Sequence, residues 1–218
     1  MGTLGGVSST GVARAVASER LELLDWKRRV FDLYREIRAD PDARSAWQTW
    51  RDVREDLIAR HPQSPLDASR RAAFRPVYFD YDPALRALGD VLSVEPADAD
   101  VPMSRDEPAR FTHFADASFE LAGEPLTLGL YWLAGYGGGV FLSFTDETSG
   151  EETYGAGRYL LDTVKGADLG TVGERLVLDF NFAFNPSCAY DSRWACPLAP
   201  PGNRLPLAVR AGELVPQL

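Results

Sequence analysis

The hydrophobic period of this chain changes once, and the change divides it. Leu23, Trp26, Val30, Leu33 and Ile37 recur at three- and four-residue steps, the spacing that lines side chains along one helical face. From Val77 onward, short runs alternate apolar with polar residues and are separated by turn residues. The boundary is chemical: His61-Pro62-Gln63-Ser64-Pro65-Leu66 carries two prolines, which forbid a helix from continuing. No helical stretch lies between the later strands to carry a parallel crossover, so they must pair antiparallel. The fold class is α+β, with an N-terminal helical pair followed by an antiparallel β-sandwich or partly closed β-barrel.

Three segments follow. Residues 1–17 are small and rich in Gly and Ser, and read as a disordered tail. Residues 18–62 hold the helical pair. Asp40-Pro41 is expected to cap the second helix, which runs from about Asp42 to Arg60 with Ala46, Trp50, Val53 and Leu57 inward. The short connection predicts antiparallel helices, packed on the sheet or forming a dimer seam. His61 stands where a histidine meets the negative end of a helix. Residues 63–218 form the β body. Its expected strands are 77–81, 92–94, 110–114, 118–121, 126–134, 140–145, 154–162, 175–182 and 205–210, with the acidic stretch 95–108 as a link. Gly135 to Gly139 lacks phosphate-loop spacing and opens no helix, so it reads as a hairpin turn.

A net charge of −9 argues against a nucleic-acid partner, which would need a basic face. No apolar run approaches the roughly 20 residues of a membrane helix. Without a signal-like start, and with two cysteines that make no disulfide framework, the expectation is a cytoplasmic protein with reduced thiols.

Residues 154–205 gather the chemistry. On the strand 175–182, alternation puts Leu176, Leu178, Phe180 and Phe182 on one face and Asp179 and Asn181 on the other. Were the strands carrying Arg158 and Asp179 to pair, a polar cluster would form from Arg158, Asp179, Asn181, Asn185 and Asn203, with Tyr159 and Tyr190 as further ligand-binding candidates. Such a set suits a small polar or anionic ligand, with Arg158 as its anchor. The same residues also suit a structural lock that ties loops to a sheet. Asp146, Glu147, Glu151 and Glu152 around a turn read as a solvated face. Cys188 and Cys196 are the thiol candidates. A zinc site with His61 and His113 lacks paired-ligand spacing, and a nucleophile would need His113 as base. A redox pair lacks a CxxC motif, so buried reduced cysteines are expected. No metal is expected, and nothing points to a cofactor or a particular reaction. The alternative to a ligand-binding protein is an interaction or scaffold protein, a homodimer through its helices.

Ordered motifs along the chain carry a resemblance. They are His-Pro-Gln-Ser-Pro-Leu (61–66), Tyr-Phe (78–79), Thr-Ser-Gly (148–150), Tyr-Gly-Ala-Gly-Arg-Tyr (154–159) and Leu-Asp-Phe-Asn (178–181). Ala-Phe-Asn-Pro-Ser-Cys-Ala-Tyr (183–190), Cys-Pro-Leu (196–198), Asn-Arg-Leu (203–205) and Ala-Gly-Glu (211–213) continue them. In these the chain resembles the bacterial and archaeal domain of unknown function (DUF) family 1684, over about residues 20–215. The resemblance implies a single-domain reading and transfers no activity.

Overall fold

A computed structural model describes residues 9–71, 73–105 and 109–217. Helix α1 spans Ser9–Ala39 and α2 spans Ala43–Arg60. The helical start at Ser9 falls inside the stretch expected to be a tail, whose residues 1–8 lie outside the described ones. The cap of α2 is Asp42 rather than Asp40: its carboxylate accepts from the N–H groups of Arg44 and Ser45. Asp40 caps the cap, accepting from the Asp42 N–H at 2.8 Å. At the far end the His61 N–H donates to the Leu57 carbonyl. Its ring Nδ1 accepts from the Gln63 N–H at 3.0 Å, so Nε2 carries the proton and donates to Asp25 Oδ2 at 3.1 Å. His61 therefore ties the end of α2 to α1. A single turn, α3 (Ala68–Arg71), leads toward the β body.

Seven strands follow: β1 (Arg86–Ala99), β2 (Phe111–Leu121), β3 (Glu124–Leu133), β4 (Gly139–Phe144), β5 (Arg158–Asp162), β6 (Thr171–Val172) and β7 (Arg175–Asp179). All pair antiparallel in one curled sheet of order β5-β4-β3-β2-β1-β7-β6, a partly closed half-barrel. The expected acidic link is instead the second half of β1, which pairs with β2 as far as Ala99↔Phe111. Pro96 sits in the register break between Ser93 and Ala97, where no ladder N–H is required. The expected strand 77–81 is reduced to one bridge, Tyr78↔Glu213, and 205–210 is irregular.

Two cores result. Leu128, Leu142, Phe144, Leu160 and Leu178 pack beneath Leu205, Val209 and Ala211, so the irregular final segment fills the sheet's inner face. Leu33, Ile37, Trp47 and Trp50 from the helices meet Tyr81, Leu169, Val177 and Phe182 in the second. The alternation of β7 holds through Leu178, but the chain turns into a 3-10 helix at Phe180–Phe182 and swings Phe182 to the helical side. Trp47 Nε1 donates to the Asn181 carbonyl at 3.1 Å and Trp50 Nε1 to the Tyr34 hydroxyl at 3.2 Å. Both indoles thus bury their apolar bodies without stranding their donors. Truncating a Trp this buried costs about 3–5 kcal/mol.

Candidate functional site

The sheet order settles what Arg158 can touch. It lies on β5, at one edge, while Asp179 lies on β7, near the other. Arg158 instead donates to Asp146 Oδ2 at 2.7 Å and to the carbonyls of Val209 at 2.9 Å, Glu213 at 3.4 Å and Ala211. Phe144 lies under the guanidinium. Burial draws the Arg158 pKa down, and Asp146 opposes that pull. Asp146, expected on a solvated face, is fully buried, and its other oxygen accepts from the Thr148 N–H at 2.6 Å and hydroxyl at 2.5 Å. Arg158 thus shares its Nη1 and Nη2 among four acceptors within the protein. It fastens the final segment to the sheet. Two glycines permit this closeness. A Cβ at Gly157 (φ 96°) would stand 2.6 Å from the Phe144 carbonyl, and one at Gly212 (φ 74°) would stand 2.4 Å from that of Ala183.

Three more expected ligands prove to be locks. Asp179 accepts from the Asn181 N–H at 3.1 Å and amide Nδ2 at 2.8 Å, with Arg86 3.7 Å away. Burial raises its pKa to about 6, against the Asn181 hydrogen bonds. Asn181 also binds the Asp82 turn through that residue's N–H and carbonyl. Asn203 accepts from the Gly129 N–H at 2.8 Å and donates to the carbonyls of Gly129 at 3.0 Å and Ser143 at 2.9 Å.

Tyr159, Asn185, Tyr190 and Cys196 do come together, in a cleft between the helices and the β body. Its volume open to the centres of water-sized occupants is about 90 Å³. Trp26 and Val30 of α1, Leu57 and Ile58 of α2, Pro65 and Phe184 supply apolar walls. Arg54 of α2 lines it and grips the buried Glu213, Nε to Oε1 at 2.5 Å and Nη2 to Oε2 at 3.0 Å. The Tyr190 hydroxyl and the Asn185 N–H also donate to Glu213 Oε2, at 3.0 and 2.6 Å. Asn185 Nδ2 donates to the Leu214 carbonyl at 2.7 Å, while its buried Oδ1 has no partner. Asp162 and Lys165, 3.2 Å apart, also line the cleft. Both charged pairs are internally balanced, so the cleft offers apolar walls, and Asn185, which lines it, keeps one side-chain acceptor buried without a partner. Tyr159 turns its hydroxyl away to the Pro197 carbonyl.

Cys188 and Cys196 are free thiols held side by side, with the Cys188 N–H 3.3 Å from Cys196 Sγ. His61 is engaged with Asp25 and His113 with Asp116, the latter at 2.7 Å. Among the described residues, no group of three or more His, Cys, Asp or Glu is placed to hold a metal. None of their helices is long and apolar enough to cross a membrane.

Sequence reading missed Arg54, Glu213, Tyr34 and Asp146. A signal for Arg54 exists: it follows Trp50 by four residues, which puts a charge on the inward stripe of α2. Glu213 likewise stands alone between Ala211-Gly212 and Leu214-Val215, an apolar run with a single carboxylate.

No curated protein matches the chain. It is similar to an uncharacterised protein of Haloarcula marismortui, solved by solution NMR: 35% identical, covering 78% of this chain and 92% of that one, TM-score 0.55. Residues 73–214 match the family model described as a protein of unknown function, DUF1684. That match takes in the β body and Glu213, while α1 and α2, which line the cleft from the helical side, lie before it. The chain belongs to the DUF1684 family.

Proposed function

We propose that this is a cytoplasmic protein that binds a small molecule in the cleft between the helical pair and the β body. The observation that carries the reading is Asn185, a residue lining an apolar-walled cavity whose side-chain Oδ1 is buried without a partner. An unpaired buried polar group costs about 1–3 kcal/mol, and a ligand donor placed there recovers it. Because Arg54 is neutralised by Glu213, the cleft favours a compact neutral molecule with an apolar body and a hydroxyl or amide N–H. At Arg158, by contrast, the guanidinium is buried against Asp146 and away from this cleft. Native mass spectrometry of freshly purified protein, set against its denatured mass, tests this. The expected result is a bound small molecule in the wild type that is absent from folded Asn185→Ala. A clean apo mass from the native host would sink the reading.

A second reading, self-association, rests on α1. Leu21, Leu24 and Phe31 are exposed on its outer side, whereas Trp47 and Trp50 are buried. Sedimentation velocity decides it: a concentration-dependent dimer that Phe31→Glu abolishes supports this interface, and a monomer at high concentration rejects it.

A further inference from the structure

We propose that Cys188 and Cys196 form a dithiol that exchanges with the disulfides of small thiols, Cys188 attacking and Cys196 resolving. The inference stands independently of any ligand in the cleft. Seven residues separate the two in sequence, yet the fold returns the chain so that the Cys188 N–H points at Cys196 Sγ, 3.3 Å away. Their surroundings differ as the two roles require. Cys188 sits on the 3-10 turn Ser187–Ala189, half-buried, with the Tyr154 hydroxyl 3.8 Å from its sulfur. Cys196 is buried and its backbone is clamped: its N–H donates to Ser104 Oγ at 2.9 Å and its carbonyl accepts the Ser104 N–H at 2.9 Å. The loop between them is pinned by Trp194 Nε1 to the Pro65 carbonyl at 2.9 Å and by Tyr190 on Glu213.

Electrostatics follows the same division. Hydrogen bonding from the Cys196 thiol, joined by Ser104 and Tyr154 and opposed by burial, lowers the Cys188 pKa to about 6. Cys188 beside it, and burial after that, push the Cys196 thiol up, with Lys165 pulling the other way. Burial and the neighbouring sulfur hold the Tyr154 hydroxyl protonated, up to about 12, so it remains a donor to a thiolate. An attacking thiol is most effective when its pKa lies near ambient pH, and a protonated resolving thiol waits until the first step is complete.

The exchange balances without a further oxidant. The Cys188 thiolate attacks one sulfur of a small disulfide, forming a protein–thiol mixed disulfide and releasing one thiolate. Cys196 gives up its proton, to that thiolate or to water, and attacks the Cys188 sulfur. The Cys188–Cys196 bond forms, and the second small thiol leaves with the electron pair of the broken bond. Two protein thiols are oxidised, and one small disulfide is reduced to two thiols.

The test treats the folded full chain with glutathione disulfide, then alkylates and digests it for mass spectrometry. The expected wild-type product is a Cys188–Cys196 cross-linked peptide with no lasting glutathione adduct. In Cys196→Ser a single stable adduct stays on Cys188, and Cys188→Ser reacts many-fold more slowly. If Cys196→Ser does not fold, a second readout on the wild type decides: the rate of iodoacetamide labelling at Cys188 against pH. Half-maximal labelling near pH 6 is expected; an inflection in the ordinary thiol range of about 8–9 overturns the proposal. A lasting adduct on wild-type Cys188, or two thiols inert until denaturation, overturns it as well.

Discussion

Arg158, buried, and Arg54, half-buried, each face a buried carboxylate, and they end differently. Arg158 meets Asp146, and its Nη1 and Nη2 also reach three backbone carbonyls, so the group is bound on four sides and closed to solvent. Arg54 meets Glu213 equally well, but the carboxylate also gathers Tyr190 and Asn185, and the chain of partners stops at an unused Asn185 oxygen beside a cavity. Buried charge alone therefore does not mark a site. The difference lies in whether the network is complete, since natural interiors leave few polar atoms unpaired without a reason.

The largest effect that separates the two regions is expected at the closed one. Asp146→Ala leaves the Arg158 guanidinium buried without a counter-ion and should cost about 3–5 kcal/mol, read as a shift in the urea midpoint. A loss under about 1 kcal/mol would break the distinction between lock and site. Asn203→Ala strands the Gly129 N–H and the two carbonyls it served, and should cost about 2–3 kcal/mol by the same measurement.

Asp179 sharpens the comparison through pH. Its folded pKa, about 6, lies above the ordinary 3.8 because burial penalises the charge. Between roughly pH 4 and 6 the folded state keeps a proton that the unfolded chain has released, so stability falls as pH rises through that window. Asp179→Asn should flatten the fall and leave the variant more stable at neutral pH by on the order of 2 kcal/mol. Thermal unfolding at pH 4 and pH 7 checks it: a wild-type midpoint that rises over that interval only when Asp179 is present would reverse the sign. The smallest effect belongs to the open region. Asn185→Ala removes one hydrogen bond together with an orphaned acceptor, so stability should change by less than about 1 kcal/mol while ligand retention is lost. A large destabilisation there would make Asn185 another lock.

What the sequence disclosed follows from range. The helical stripes, the break at Pro62 and Pro65, and the alternation of β7 depend on neighbours, and each is visible in a short window. Pro96 and the Ala-Asp alternation after it disguised half of β1, because a bulge admits proline where a regular ladder would not. Strand order was beyond reach. Arg158 was recognised as chemically special but given Asp179 as partner, since nothing in the sequence separates β5 from β7 by four other strands. Asp146 lay among three other acids and shared their reading. The cleft is a seam between layers, lined from α1, α2, β5 and the loop after β7; no single stretch of sequence contains it.

The final segment carries a kinetic consequence. Residues 209–215 accept from Arg158, supply Glu213 to Arg54 and meet Val77 and Glu152 through backbone hydrogen bonds. Arg54 and Glu213 are 159 positions apart. The meander β1 to β5 can assemble from near neighbours, whereas this closure must await a search across most of the chain, the slow kind of event that long-range contacts impose. Weakening Glu213 should then act chiefly on the rate of opening rather than on the rate of assembly. The molecule would come apart from its C-terminal strap first, with the sheet still largely formed.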